Sequence, residues 1–110
     1  MSARQIQTNV TIANGAQLSG AVDLLGFTLC AVETPAAFTG TAITFEVSND
    51  NSTFVPVHKE DGNAYSLTVS TSRATIVDIL KFRGFRYLKI KSGSAEGGAR
   101  TVVLHCASLG

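Results

Sequence analysis

Between Ile43 and Ser48 the chain alternates strictly: Ile43, Phe45 and Val47 are apolar, while Thr44, Glu46 and Ser48 are polar. A period of two sends the two sets to opposite sides of an extended strand, so the segment is satisfied only as part of a sheet with one buried face. The same rhythm occurs at Thr8, Val10 and Ile12, set against Gln7, Asn9 and Thr11, and again at Tyr65, Leu67 and Val69. Further short strands are expected over Thr75 to Ile79, Arg86 to Lys91 and Thr101 to Ala107. Between them stand turn-forming groups: Ala13-Asn14-Gly15-Ala16, Thr34-Pro35-Ala36-Ala37, Asn49-Asp50-Asn51-Ser52, Glu60-Asp61-Gly62-Asn63 and the Gly/Ser stretch from Ser92 to Gly98.

Leu18, Ala21, Val22 and Leu25 would share one face of a helix, but Gly20 and Gly26 make such a helix short and costly, so strands are expected there too. Pro56 lacks a ladder donor and demotes the Phe54–Val57 strand to an edge or a bulge. Eight or nine short strands with frequent turns predict an all-β chain: a single antiparallel two-sheet β-sandwich, jelly-roll-like, spanning residues 1–110. The polar leader Met1 to Gln5 reads either as a flexible arm or as a frayed end.

Charge narrows the function. Nine Lys and Arg oppose eight Asp and Glu, a net charge of +1, which argues against generic binding to nucleic acid. With 45% hydrophobic and 15% charged residues the chain is too apolar for disorder. It has neither an eighteen-residue apolar run nor, in MSARQIQTNV, the apolar centre of a secretory signal, so no membrane span and no export are expected. Cys30 and Cys106 match no zinc spacing and are expected as two buried, inert thiols.

Catalysis finds little footing. His58 and His105 are the available imidazole bases, and alternation sends His105 and Cys106 to opposite faces of their strand. Gly93-Ser94-Ala95-Glu96-Gly97 has its serine one place early for a nucleophile elbow and is expected in a hairpin loop. Gly93 to Gly98 has phosphate-loop glycine separation, but Ala99 and Arg100 stand where Lys and Ser or Thr are required. Asp50, Glu60 and Asp61 lack the ligand spacing of a calcium loop and read as solvated turn carboxylates. The expectation is a non-enzymatic protein without cofactor or metal.

One feature points to a partner. Lys81, Arg83, Arg86, Lys89 and Lys91 put five of the nine basic residues into eleven positions, with Phe82, Phe85 and Tyr87 interleaved. Such a strip can dock on an acidic surface, the charges steering encounter and the aromatics supplying buried area. It also reads as the solvent face of a strand whose other face buries Leu88 and Ile90, with the lysines deterring edge-to-edge aggregation.

Three strings together carry a resemblance: Thr11 to Gly15 with Leu18 to Leu24; Pro35 to Thr39 leading into Ile43 to Ser48; and Phe82 to Ile90. Over about residues 6 to 107 the chain resembles small virion proteins of tailed bacteriophages, in particular the capsid decoration, or cement, proteins of the epsilon15 type. The resemblance implies a short sandwich protein on the capsid exterior, assembled in the host cytoplasm. It further implies binding to the major capsid protein, head stabilisation, and function as a homo-oligomer, a dimer or trimer. A second string, Val47-Ser48-Asn49-Asp50-Asn51-Ser52-Thr53-Phe54-Val55-Pro56-Val57, is similar to the Ser-x-Asp-Gly-x-x-Trp-x-x-Val hairpin of galactose-binding-like sandwich modules. Asn51 replaces the glycine and Phe54 the tryptophan. The alternative that follows is a carbohydrate- or receptor-binding module of a phage head or tail fibre.

Overall fold

The alternating segments fold as strands in the computed structural model, which describes residues 4–78, 82 and 84–108. Among them run nine strands: β1 (Gln5–Ile12), β2 (Val22–Asp23), β3 (Thr28–Glu33), β4 (Ala42–Ser48), β5 (Val55–Pro56), β6 (Leu67–Thr68), β7 (Ala74–Ile76), β8 (Tyr87–Ser92) and β9 (Arg100–Ala107). One sheet has the order β1-β9-β3-β7; the other runs β2-β8-β4-β5, with β6 also pairing β4. Every pairing is antiparallel. From β1 to β4, and again from β6 to β9, successive strands change sheet, and this interleaving is the double Greek key of a jelly roll. The expected all-β sandwich is therefore the fold.

The core lies between the sheets. β1 and β9 contribute Val10, Ile12, Val102, Leu104 and Cys106, β3 contributes Leu29 and Val32, and the facing sheet contributes Ile43, Phe45, Val47, Leu88 and Ile90. Each such Val, Leu, Ile or Phe contributes about 1.5–3 kcal/mol by leaving water. Pro56 sits in a two-residue strand at a sheet edge, where its missing N–H costs no ladder bond.

Several expectations are corrected. Of the leader, Met1 to Ala3 lie outside the described residues; Arg4 exchanges bonds with Ser108 beside β9, and β1 begins at Gln5. The extended run expected from Leu18 is not one strand: Leu18 and Ser19 form isolated bridges to Lys91 and Ile12, and only Val22–Asp23 follow as a strand. The strand expected over Thr75 to Ile79 is β7, one residue earlier and shorter, with Ile79 outside the described residues. The Gly93–Gly98 stretch is no hairpin loop, because β8 and β9 lie in different sheets. It is instead stitched to the Asn14–Gly15 turn, Gly15 N–H donating to the Glu96 carbonyl and Glu96 N–H to that of Ala16. Cys106 is buried, but Cys30 sits at the register shift between Leu29 and Ala31 and is only half-buried.

Candidate functional site

β8 is an inner strand of its sheet, lying between β2 and β4. Its alternation turns Leu88 and Ile90 fully into the core and leaves Tyr87, Lys89 and Lys91 on the outer face. Across the ladder Lys91 faces Thr44, Lys89 faces Glu46, and Tyr87 lies between Ser48 and Asp23. Lys89 forms no ion pair with Glu46 within the described residues; its ammonium stands 4.4 Å from the ring centroid of Phe54. That geometry is a cation–π contact.

The turn from β4 into β5 places Phe54. The carboxylate of Asp50 accepts the Ser48 hydroxyl at 2.7 Å and the N–H groups of Ser52 and Thr53 at 2.9 and 3.0 Å. These bonds, that from Thr53 foremost, hold its pKa down to about 2. Asn51 adopts φ 57°, a left-handed conformation that asparagine tolerates better than most residues.

At the other end of the strip Arg86 is fixed from three sides. Its N–H donates to Asn49 Oδ1 at 3.0 Å, its carbonyl accepts from Leu24 at 2.7 Å, and its guanidinium grips Asp23 through bonds of 3.1 to 3.3 Å. The guanidinium carbon also lies 5.1 Å from the Tyr87 ring centroid. Arg86 holds the Asp23 carboxyl below its ordinary pKa, helped by the Leu25 N–H, and Asp23 in turn raises that of Arg86. Most of the Arg86 charge is thus spent locally. Beside it, Leu25 is 66% exposed at φ 57°, an uncommon conformation for a leucine.

The expected strip is therefore only partly a surface. Lys81 and Arg83 lie outside the described residues. Phe82 is corrected outright: it is fully buried, with ring centroids 4.9 Å from Phe45 and 5.6 Å from Tyr65, and serves the core. Phe85 is half-buried against that core. Arg86, Tyr87, Lys89 and Lys91 remain on the surface, joined by Phe54, Asp23 and Glu46, which sequence reasoning did not place there. The hairpin string could have drawn attention to Phe54; Asp23 carried no local signal, since it reaches Arg86 only through sheet register. The arrangement offers two lysines and two aromatic rings on a rigid sheet, suited to acidic or planar groups.

Elsewhere the chemistry is sparse. His105 Nε2 lies 2.9 Å from Glu33 on the outer face of its sheet, away from the buried Cys106 side chain. Among the described residues no group of three or more His, Cys, Asp or Glu side chains gathers in metal-binding range. A hollow of about 360 Å³ lies at the start of β1, bounded by Gln5, Gln7, Cys30, His105 and Cys106 among others.

No protein-family model and no curated protein matches the sequence. Among solved structures the chain is similar to the SPBc2 prophage-derived protein YomS, with a TM-score of 0.58 and 20% identity over 96% of each chain. It is also similar to CBM32-1 from a family 31 glycoside hydrolase of Clostridium perfringens, with a TM-score of 0.54 and 15% identity over 91% of this chain and 75% of that one. At these identities the likeness is one of fold, and the fold it supports is the two-sheet β-sandwich described above.

Proposed function

We propose that this chain is a non-enzymatic structural protein of a phage virion, binding the outside of the major capsid lattice as a dimer or trimer and stabilising the head. The observation that carries the reading is the end-to-end likeness to a prophage-derived protein, 96% of each chain, which agrees with the virion-protein strings of the sequence. A protein that binds the assembled lattice in preference to free subunits stabilises it by mass action, and needs a rigid surface rather than a reacting centre. The outer face of β8 fits that part. Lys89 and Lys91, which form no ion pair among the described residues, supply positive charge, and Tyr87 and Phe54 supply rings that lose little conformational freedom on contact.

Co-sedimentation with undecorated capsids at low and high salt tests the proposal. Binding that weakens with salt, and weakens further in the Lys89→Ala, Lys91→Ala double variant, is expected. Failure of the folded protein to co-sediment at either salt concentration would overturn it. The second reading, a carbohydrate-binding module of a phage head or fibre, draws on the fold likeness to CBM32-1 and on the Ser48–Val57 hairpin. A specific signal on a glycan array, without capsid binding, would favour it.

A further inference from the structure

A two-sheet sandwich has four strand edges, and this one protects three. β2 forms one edge and β5 and β6 share another, each only two residues long with β5 carrying Pro56, and β7 is three residues long. Short strands and edge prolines are the usual means by which sheets avoid pairing with one another. The fourth edge is different. β1 is eight residues long, QIQTNVTI, without a charge, a proline or a break in its register against β9.

The direction of its backbone groups follows from two bonds. Ser108 N–H donates to the Arg4 carbonyl, so even-numbered residues face β9; Gly20 N–H donates to the Thr11 carbonyl, so odd-numbered residues face outward. The Thr11 carbonyl is thereby occupied, and Ser19 covers the adjacent end of the strand at Ile12. Gln5, Gln7 and Asn9 are left with outward N–H and C=O groups that meet no partner among the described residues.

We propose that β1 is a pairing edge, and that its occupant is β1 of a second copy, antiparallel about a twofold axis at Gln7. In that register Gln7 faces Gln7 and Gln5 faces Asn9, so every open odd-numbered residue meets another. The three pairings close about six backbone hydrogen bonds, because each such antiparallel pair exchanges two. Moving the axis by one residue either way leaves Asn9 unpaired or sets Gln5 against the occupied Thr11. The side chains agree with the backbone. On the outer face amide meets amide, on the inner face half-buried Ile6 meets Thr8, and no like charges are brought together. The two four-stranded sheets become one continuous sheet of eight. Growth stops at two copies, because a twofold contact consumes the same edge on both.

This inference gives the oligomer of the proposed function a surface, and it is tested on the free protein, so its failure is distinct from failure to bind capsids. Light scattering across a dilution series is expected to give a mass twice 11.5 kDa, falling to the monomer on dilution. Gln7→Pro removes an outward donor and no bond to β9; it should give a folded monomer by circular dichroism. Gln7→Lys, which sets two charges face to face on the axis, should weaken association about tenfold or more, whereas Thr11→Lys, outside the paired register, should leave it unchanged. In the wild type the amide protons of Gln5, Gln7 and Asn9 should exchange more slowly in concentrated than in dilute solution. A concentrated protein that stays monomeric, a closed trimer, or a dimer indifferent to Gln7→Lys with concentration-independent exchange at Gln7 would overturn the assignment.

Discussion

Replacing Glu96 tests whether the Gly/Ser stretch before β9 is a structural joint. Its carboxylate is 1% exposed and accepts four bonds: from Thr39 N–H at 2.8 Å, Gly40 N–H at 3.0 Å, the Ser92 hydroxyl at 2.8 Å and Arg100 Nε at 3.0 Å. Glu96→Ala removes the acceptor of all four. Thr39 is exposed and Arg100 partly so, and both can turn to water; Gly40 and Ser92 are buried and cannot. Two stranded buried donors cost about 1–3 kcal/mol each, about 2–6 kcal/mol together, and Arg100 adds little because it recovers its hydration, so a loss near the middle of that range, about 3–5 kcal/mol, is expected. At about 4 °C per kcal/mol for a domain of this size, the melting temperature falls by roughly 12–20 °C. Glu96→Gln keeps the shape and one acceptor. The Ser92 hydroxyl can reverse and accept from the new amide, leaving Gly40 facing a donor, so about 1–3 kcal/mol is expected.

The pH dependence supplies an independent sign. Burial pushes Glu96 upward, but the bonds from Thr39, Ser92, Gly40 and Arg100 outweigh it, and its pKa lies below the ordinary 4.5. A lowered folded pKa means that the unfolded chain binds the extra proton, so this contribution is fully present above pH 4.5 and is lost as pH falls below it through the folded value. Chemical denaturation of wild type and Glu96→Gln from neutral to acid pH should show two curves converging as the pH drops. Curves that stay parallel, or a Glu96→Ala variant within about 1 kcal/mol of wild type, would refute the reasoning.

Gly40→Ala should disturb the same joint, because a Cβ there would stand 2.1 Å from Ser92 Oγ; about 1–3 kcal/mol of destabilisation by urea denaturation is expected, and a neutral substitution would count against it. Leu25→Gly should stabilise by up to about 1 kcal/mol, since it relieves a left-handed leucine that is mostly exposed; a loss of stability would mean that the side chain packs on something. Cys106, whose thiol burial and the neighbouring Cys30 raise to about 11, should react slowly with a thiol reagent at neutral pH, and the half-buried Cys30 sooner; equal, fast reaction at both would refute this.

The strands were legible where one face is buried and the other wet. β1, β4, β8 and β9 carry the period-two code because each lines the core from one side only, and the turns between them need residues that tolerate positive φ. Sheet order was not legible, since which strand lies beside which is decided by long-range packing. Glu96 shows the consequence. In sequence it belongs to a Gly/Ser tract that looks solvated, yet crossing from β8 to β9 carries it over the end of the sandwich, where Thr39, Gly40 and Ser92 converge on it.

The basic strip fails as a one-dimensional reading for the same reason, and the failure changes which residues should matter. Counted along the chain, Arg86 looks as available for docking as Lys89. In the sheet, β2 sets Asp23 against Tyr87, within reach of Arg86, and engagement of Arg86 by a partner would first have to break that bidentate pair. Lys89 rests on the ring of Phe54 and, though it faces Glu46 across the ladder, forms no ion pair among the described residues, while Lys91 faces the neutral Thr44. Charge available to a partner therefore resides on the middle of β8. Removing Lys89 and Lys91 should reduce the salt dependence of association, whereas Arg86→Ala should act chiefly by freeing Asp23, adding negative charge at the end of the same surface.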